Sequence, residues 1–271
     1  MNWLFCAIIL SFIMDNKSFE TEFWLYARSF ETGDREIDTN LRLKQEHTLR
    51  VVREALALGR AEHFAPRELE LLFYTAYLHD LSRFEQFVRF QTFNDLVSFD
   101  HGDRSRELVC ELDILPRTFS SREKQFILTG VGYHNKREIP KDLEGVERKL
   151  LLAVRDADKM DILNILINHL KNPENSAIVY KLPKEAGLSA DVAAAIMDGR
   201  SPDNGALKSS LDFLAAKFAW GYDLNFSWSC REFLRRQYME NLRKGLPEKP
   251  EILDIFLEKV LLHMQKKGEL R

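Results

Sequence analysis

His47, the adjacent pair His79-Asp80, His101, His134 and Asp156 follow one another along this chain of 271 residues. All six are nitrogen or oxygen ligands for a borderline divalent metal, and six such groups suffice to hold two ions. A His-Asp dipeptide by itself is a weak signal. Its weight comes from the elements that must position these residues.

The spacing predicts a helix for each candidate. Over 43–60, His47 shares a stripe with Val51, Ala55 and Leu58, and over 67–84 Leu69, Leu72, Phe73 and Ala76 lead into His79. Asp100 is placed to cap a helix that carries His101 toward Leu108, Val109 and Leu112. Ser120 and Glu123 have capping-box spacing ahead of Phe126, Ile127, Gly130, Val131 and His134. A last stripe joins Leu152, Ala153, Asp156, Met160 and Leu163. Each candidate therefore extends an apolar face, the face that helices bury. A carboxylate buried there without a partner would be costly, and buried charges are normally paired or bound to metal.

The order H…HD…H…H…D resembles the HD superfamily of metal-dependent phosphohydrolases. The stretch HDLSRFEQFVRFQTFNDLVSFDHG (79–102) and the strings GYHNKREIP and RDADKMDIL are similar to a subgroup of bacterial HD-domain proteins. The resemblance covers roughly residues 41 to 170. It implies an all-α fold, an HD-domain helical bundle with additional C-terminal helices. The chain would divide into an N-terminal segment (1–40), an HD metal-binding core (41–170) and a helical extension completing the same domain (171–271).

The resemblance also implies a site. One metal would take His47, His79, Asp80 and Asp156; Asp80 would bridge to a second held by His101 and His134. With no thiolate in the set, two divalent transition-metal ions such as Mn, Fe, Co, Ni or Zn are expected. Two metals roughly 3.5–4 Å apart can share a hydroxide and clamp a phosphoryl group, so the expected reaction is hydrolysis of a small phosphorylated molecule, a nucleotide being the first choice. The alternatives are a mixed-valence di-iron oxygenase on the same scaffold and a nucleotide sensor without turnover.

Asp80 and Arg83 are the expected catalytic residues. Arg83 follows His79 by one helical turn and can grip phosphate with two parallel hydrogen bonds; a salt bridge to Asp80 or Glu85 is the plainer role. Lys136 and Lys159 are further candidates for substrate binding, with Arg137 and Asn135 nearby, against the alternative of a solvated helix end. Asp158 is a candidate to orient a ligand histidine. Phe84, Phe87, Phe90 and Phe93, spaced by three, predict a helical continuation with rings on the core.

Composition bounds the rest. A net charge of −3 and the absence of a basic cluster give no reason to expect a nucleic-acid polymer. Cys6, Cys110 and Cys230 lack CxxC spacing, which fits a reducing cytoplasm. The apolar run 2–14 is too short to span a bilayer and lacks the basic start of a secretory signal, so no stable membrane insertion is expected. Translation from Met14 is one account of it, a helix resting on the body or a partner the second, and a cleaved signal or membrane anchor the third; a homo-oligomer is allowed. Residues 19–28 predict a short helix with Phe19, Phe23, Trp24 and Tyr26, and 31–40 a polar loop. Lys171–Ser189 is broken by Pro173, Pro183 and Gly187, and helical patterns return over 191–197, 206–219, 229–244 and 250–267. This last third reads as completing the core; the alternative makes AWGYDLNF a pocket wall, with Trp220 or Tyr222 meeting substrate.

Overall fold

The computed structural model describes residues 17–171, 182–183, 187–246 and 250–269, and all regular structure among them is helical. The apolar run at 2–14 and most of the broken stretch 171–189 lie outside the described residues. No helix among the described residues is long and apolar enough to cross a membrane.

The N-terminal layer begins with α1 (residues 17–28), whose Phe19 and Phe23 are buried while Trp24 and Tyr26 lie partly covered against the same core. Helix α2 (Arg35–Ala61) starts eight residues earlier than its apolar stripe predicts. Asp34 caps it by accepting from the Glu36 and Ile37 amides, so the polar 31–40 stretch is largely its solvated first turns. Helix α3 (Pro66–Leu78) opens on a proline, which forfeits no helical hydrogen bond there. It stops at Leu78, short of the predicted 84, and the turn His79–Ser82 leads into α4 (Arg83–Phe90). The predicted aromatic helix ends with it. Gln91 takes φ 50°, and Phe93 folds back until its ring lies 4.6 Å from that of Phe87. Helices α5 (His101–Glu111) and α6 (Ser121–Tyr133) carry the expected Asp100 cap and Ser120/Glu123 capping box.

Helix α7 (Gly145–Lys171) is the shared spine. Its residues 150–157 belong to the aromatic-rich core of α1–α6, where Phe19 meets Tyr74 at 4.5 Å and Phe23 meets Tyr77 at 5.2 Å. Met160, Leu163, Leu166 and Ile167 belong to a second core. That second core is built with α8 (Ala190–Met197), α9 (Ser210–Ala215), α10 (Ser227–Arg235), α11 (Tyr238–Gly245) and α12 (Ile252–Glu269). Here the predicted segments are more broken than expected. A 3-10 stretch Ala216–Gly221 follows α9, and Gln237 at φ 53° splits the 229–244 pattern into two helices. Buried on both faces, α7 must satisfy both cores at once.

Candidate metal centre

His47 projects from α2, His79 and Asp80 from the turn after α3, His101 from the first residue of α5, and His134 from the end of α6. All five side chains are buried and converge. They form two groups that share Asp80: His47 with His79, and His101 with His134. Asp80 Oδ2 faces His47 Nε2 at 3.4 Å and His79 Nε2 at 3.6 Å. Its other oxygen, Oδ1, faces His101 Nε2 at 3.4 Å and His134 Nε2 at 3.8 Å. One carboxylate thus presents one oxygen to each histidine pair.

The ring orientations have a physical cause. His79 Nδ1 lies 2.7 Å from the Ala76 carbonyl, and His134 Nδ1 lies 2.7 Å from that of Val131. A carbonyl only accepts, so Nδ1 carries a proton and each ring turns its Nε2 inward. His47 Nδ1 meets Asp161 at 2.7 Å, and His101 Nδ1 meets Asp95 at 2.5 Å, which orients those rings likewise. The inward nitrogens then face one another, His47 to His79 at 3.4 Å and His101 to His134 at 3.1 Å. Without a metal, the protonated His47 ring faces the His79 lone pair and an Arg83 N–H faces that of His101; a divalent metal would take the place of those protons among the converging nitrogens and Asp80 oxygens. Burial pushes His79 down to about 3, and burial with the Arg83 charge pushes His101 down to about 4, which keeps both rings in the ligand form. Burial and Lys44 also press His47 down, but Asp158, Asp161 and Asp80 outweigh them and raise it to about 10.

The remaining carboxylate corrects the sequence reading. Asp156 is buried but lies apart from the cluster: it accepts from the Asn225 and Phe226 amides and the Asn225 side chain at 2.8–3.1 Å. Asp158 stands where Asp156 was expected. Its Oδ1 is 3.2 Å from His47 Nε2 and 3.8 Å from His79 Nε2, and that buried atom has no hydrogen-bond partner. Residues two apart on a helix point about 200° from each other, so only one of the two can face the site. Because α7 is buried on both sides, its stripe does not reveal which. The pair Asp158 and Asp161 carried the missed signal, since i and i+3 share a face and both meet His47.

Asp80 is held well below the ordinary carboxylate range: burial opposes ionisation, but Lys44, His79 and Arg83 prevail. Lys44 Nζ lies 2.7 Å from Oδ2. Arg83 is placed beside the site, and its guanidinium donates to Gln86 (2.6 Å), the Phe93 carbonyl (2.7 Å), Asp95 (3.0 Å) and Asp80 (3.3 Å). Its Nη2 also lies 3.2 Å from His101 Nε2. The other two expected substrate contacts are turned elsewhere. Lys136 bridges Asp100 and Asp103 at 2.7 Å each, and Lys159 pairs with Asp223 at 2.9 Å. Each carboxylate was close enough to capture a flexible ammonium before it reached the cluster.

Other residues support the geometry without showing in the ligand pattern. Arg155 donates to the carbonyls of Tyr133, His134 and Lys136, closing the end of α6 that presents His134. A Cβ at Gly102 would collide with the Asn135 amide, so α5 and α6 meet closely only because that position is glycine. Beside the His47 side of the cluster is a cavity of about 130 Å³. It is lined by Lys44, His47, Arg83, Phe93, Ile162 and, from the last third of the chain, Phe213, Lys217 and Trp220. Trp220 therefore does meet the pocket, as the alternative reading had it, while Tyr222 packs on His263 at 5.0 Å.

No curated protein and no solved structure matches this chain. A family model does: residues 45–176 match the one described as HD domain, whose members are commonly metal-dependent hydrolases. Its span takes in the whole histidine and aspartate cluster, and the all-helical fold agrees with it. Over those residues the chain is similar to the HD domain and carries a His/Asp cluster suited to divalent metal.

Proposed function

We propose that this protein is a metal-dependent phosphohydrolase acting on a small phosphorylated molecule, with two divalent transition metals joined by Asp80. The observation that carries the reading is the shared carboxylate, with a different oxygen toward each histidine pair and cations gathered at the adjoining cavity. His47, His79, Asp80 and Asp158 would hold one metal, and Asp80, His101 and His134 the other. When bound, the metals would supply Lewis acidity and a nucleophile drawn from water at neutral pH. Asp95 and Asp161 fix the His101 and His47 rings, so each lone pair stays aimed.

Arg83 and Lys44 place positive charge where a phosphoryl group would gain negative charge. Gln86, Asp95 and the Phe93 carbonyl would hold Arg83 there when metal takes Asp80, and Lys44 would be released from Asp80 toward the substrate. Phe93, Leu43 and Ile162 give that side of the cavity an apolar lining. The volume favours a substrate smaller than a whole nucleotide, since pockets for drug-sized ligands run from about 300 to 1,000 Å³.

The test is turnover of a phosphomonoester and phosphodiester panel by chelated protein reloaded with Mn, Co or Ni, without oxygen. Phosphate or phosphomonoester release that follows metal loading supports the reading. Product that forms only with iron and O₂ would move the protein to the oxygenase class.

A further inference from the structure

Lys217 is a buried cation that the reading above does not use. It sits in the 3-10 stretch Ala216–Gly221, contributed by the second core, and lines the cavity beside His47. Its ammonium lies 4.1 Å from the Phe213 ring centre and 4.4 Å from that of Trp220. The two other cations at this cavity belong to the phosphoryl end in that reading: Lys44 beside Asp80, and Arg83, which Asp95, Gln86 and the Phe93 carbonyl hold. Among the described residues, the contacts of Lys217 Nζ are the Phe213 and Trp220 rings, with no hydrogen bond or ion pair to a carboxylate, carbonyl or hydroxyl.

A buried ammonium without a hydrogen-bonded counter-ion is costly, and aromatic faces and the more distant Asp158 charge offset only part of that cost. Burial pushes Lys217 down to about 7, with the Asp158 charge opposing it. The flanking rings fix where the side-chain nitrogen lies, so it is already positioned for an arriving partner, whose negative charge would favour the protonated form. The surrounding wall, Leu43, Ile162, Ile165 and Leu166, offers no competing polar group. A single positive charge in such a site is matched by a single negative one. A carboxylate supplies that; a second phosphate would bring more charge than Lys217 can balance, and more bulk than the cavity holds comfortably.

We propose that Lys217 receives a carboxylate of the substrate, so that the protein acts on a small phosphorylated acid carrying both a phosphoryl group and a carboxylate. This rests on the phosphoester reading and narrows it: the metals take the phosphoryl end, and Lys217, between Phe213 and Trp220, takes the other. Nucleotide monophosphates, which lack a carboxylate, are then poor ligands.

Calorimetry on the full-length, Mn-loaded protein tests this with non-hydrolysable probes. Phosphonoacetate, 3-phosphonopropionate and 4-phosphonobutyrate are compared with ethyl-, propyl- and butylphosphonate, which lack the carboxylate. At least one carboxylated probe should bind about tenfold or more tightly than its alkyl counterpart, the worth of one charged hydrogen bond. Lys217→Met should weaken that probe at least tenfold more than the alkylphosphonate, with Mn content kept, and Lys217→Arg should restore part of the difference. Equal affinity for both series overturns the proposal, as does an equal loss for both in Lys217→Met. If the wild-type protein binds neither series, the phosphoester reading itself fails, and that failure is visible before any variant is made.

Discussion

The two sides of Asp80 are built differently. On the His47 side, two long helices and the turn after α3 deliver His47, His79 and Asp158, and Asp161 stands behind His47. That side has a carboxylate of its own and lies along the shared spine α7. The His101 side has two imidazoles and the other oxygen of Asp80, with Asp95 behind His101 and Arg83 close to both. It owes its shape to loops and helix ends instead of helix middles. More anionic ligand and a stiffer frame should make the His47 side the tighter of the two. Fewer protein ligands should leave the His101 side more open, beside the guanidinium that would meet a phosphoryl oxygen.

The largest expected effect follows from removing what the sides share. Asp80→Ala should drop metal content from near two per chain to near zero by elemental analysis, while His101→Ala lowers it only toward one. Equal loss in both variants would mean that the sides do not load separately.

Next comes the contrast on α7. Asp158→Asn should strip metal from the His47 side. Asp156→Asn should keep metal in the folded fraction but lower the Tm, because Asn keeps only one of the two acceptor oxygens that the partly buried Asn225 and Phe226 amides share, at about 1–3 kcal/mol for a donor left unsatisfied. Metal loss in the Asp156 variant with none in the Asp158 variant would reverse this assignment.

A smaller effect belongs to the open side. Asp95→Asn should weaken metal affinity there by roughly 10- to 100-fold, the usual cost of losing a group that orients a ligand histidine, and spare the His47 side. Competition with a fluorescent chelator reads the two affinities separately.

How far the sequence revealed this site depends on what each helix buries. His47, His79, His101 and His134 sit at the ends of one-sided stripes or beside a capped start, and the structure brings those residues and Asp80 together. Periodicity failed at α7, where both faces are apolar and a shift of two residues leaves the pattern almost unchanged. Asp95 was hidden for another reason: it lies in a short 3-10 turn, Asp95–Val97, that has no period to read. Lys217 and Trp220 come from a segment distant in the chain, and only the meeting of the two cores along α7 brings them to the cavity. The all-helical class was legible throughout, whereas helix breaks at residues 79–82 and 237 depended on tertiary contacts that override local preference.

The smallest effect is expected at Lys136, outside the comparison. Its pairs with Asp100 and Asp103 are partly exposed, so Lys136→Ala should cost no more than about 1 kcal/mol and leave metal content and turnover unchanged. A large loss of substrate affinity would return it to the binding site.

The central claim is that one carboxylate joins two metal sites, and electron paramagnetic resonance of the Mn-loaded protein tests it most directly. Two Mn ions bridged by Asp80 should give an exchange-coupled spectrum at two metals per chain, and His134→Ala should convert it to the six-line signal of an isolated ion. A single uncoupled Mn in the wild-type protein, unchanged by Asp80→Ala, would contradict the account.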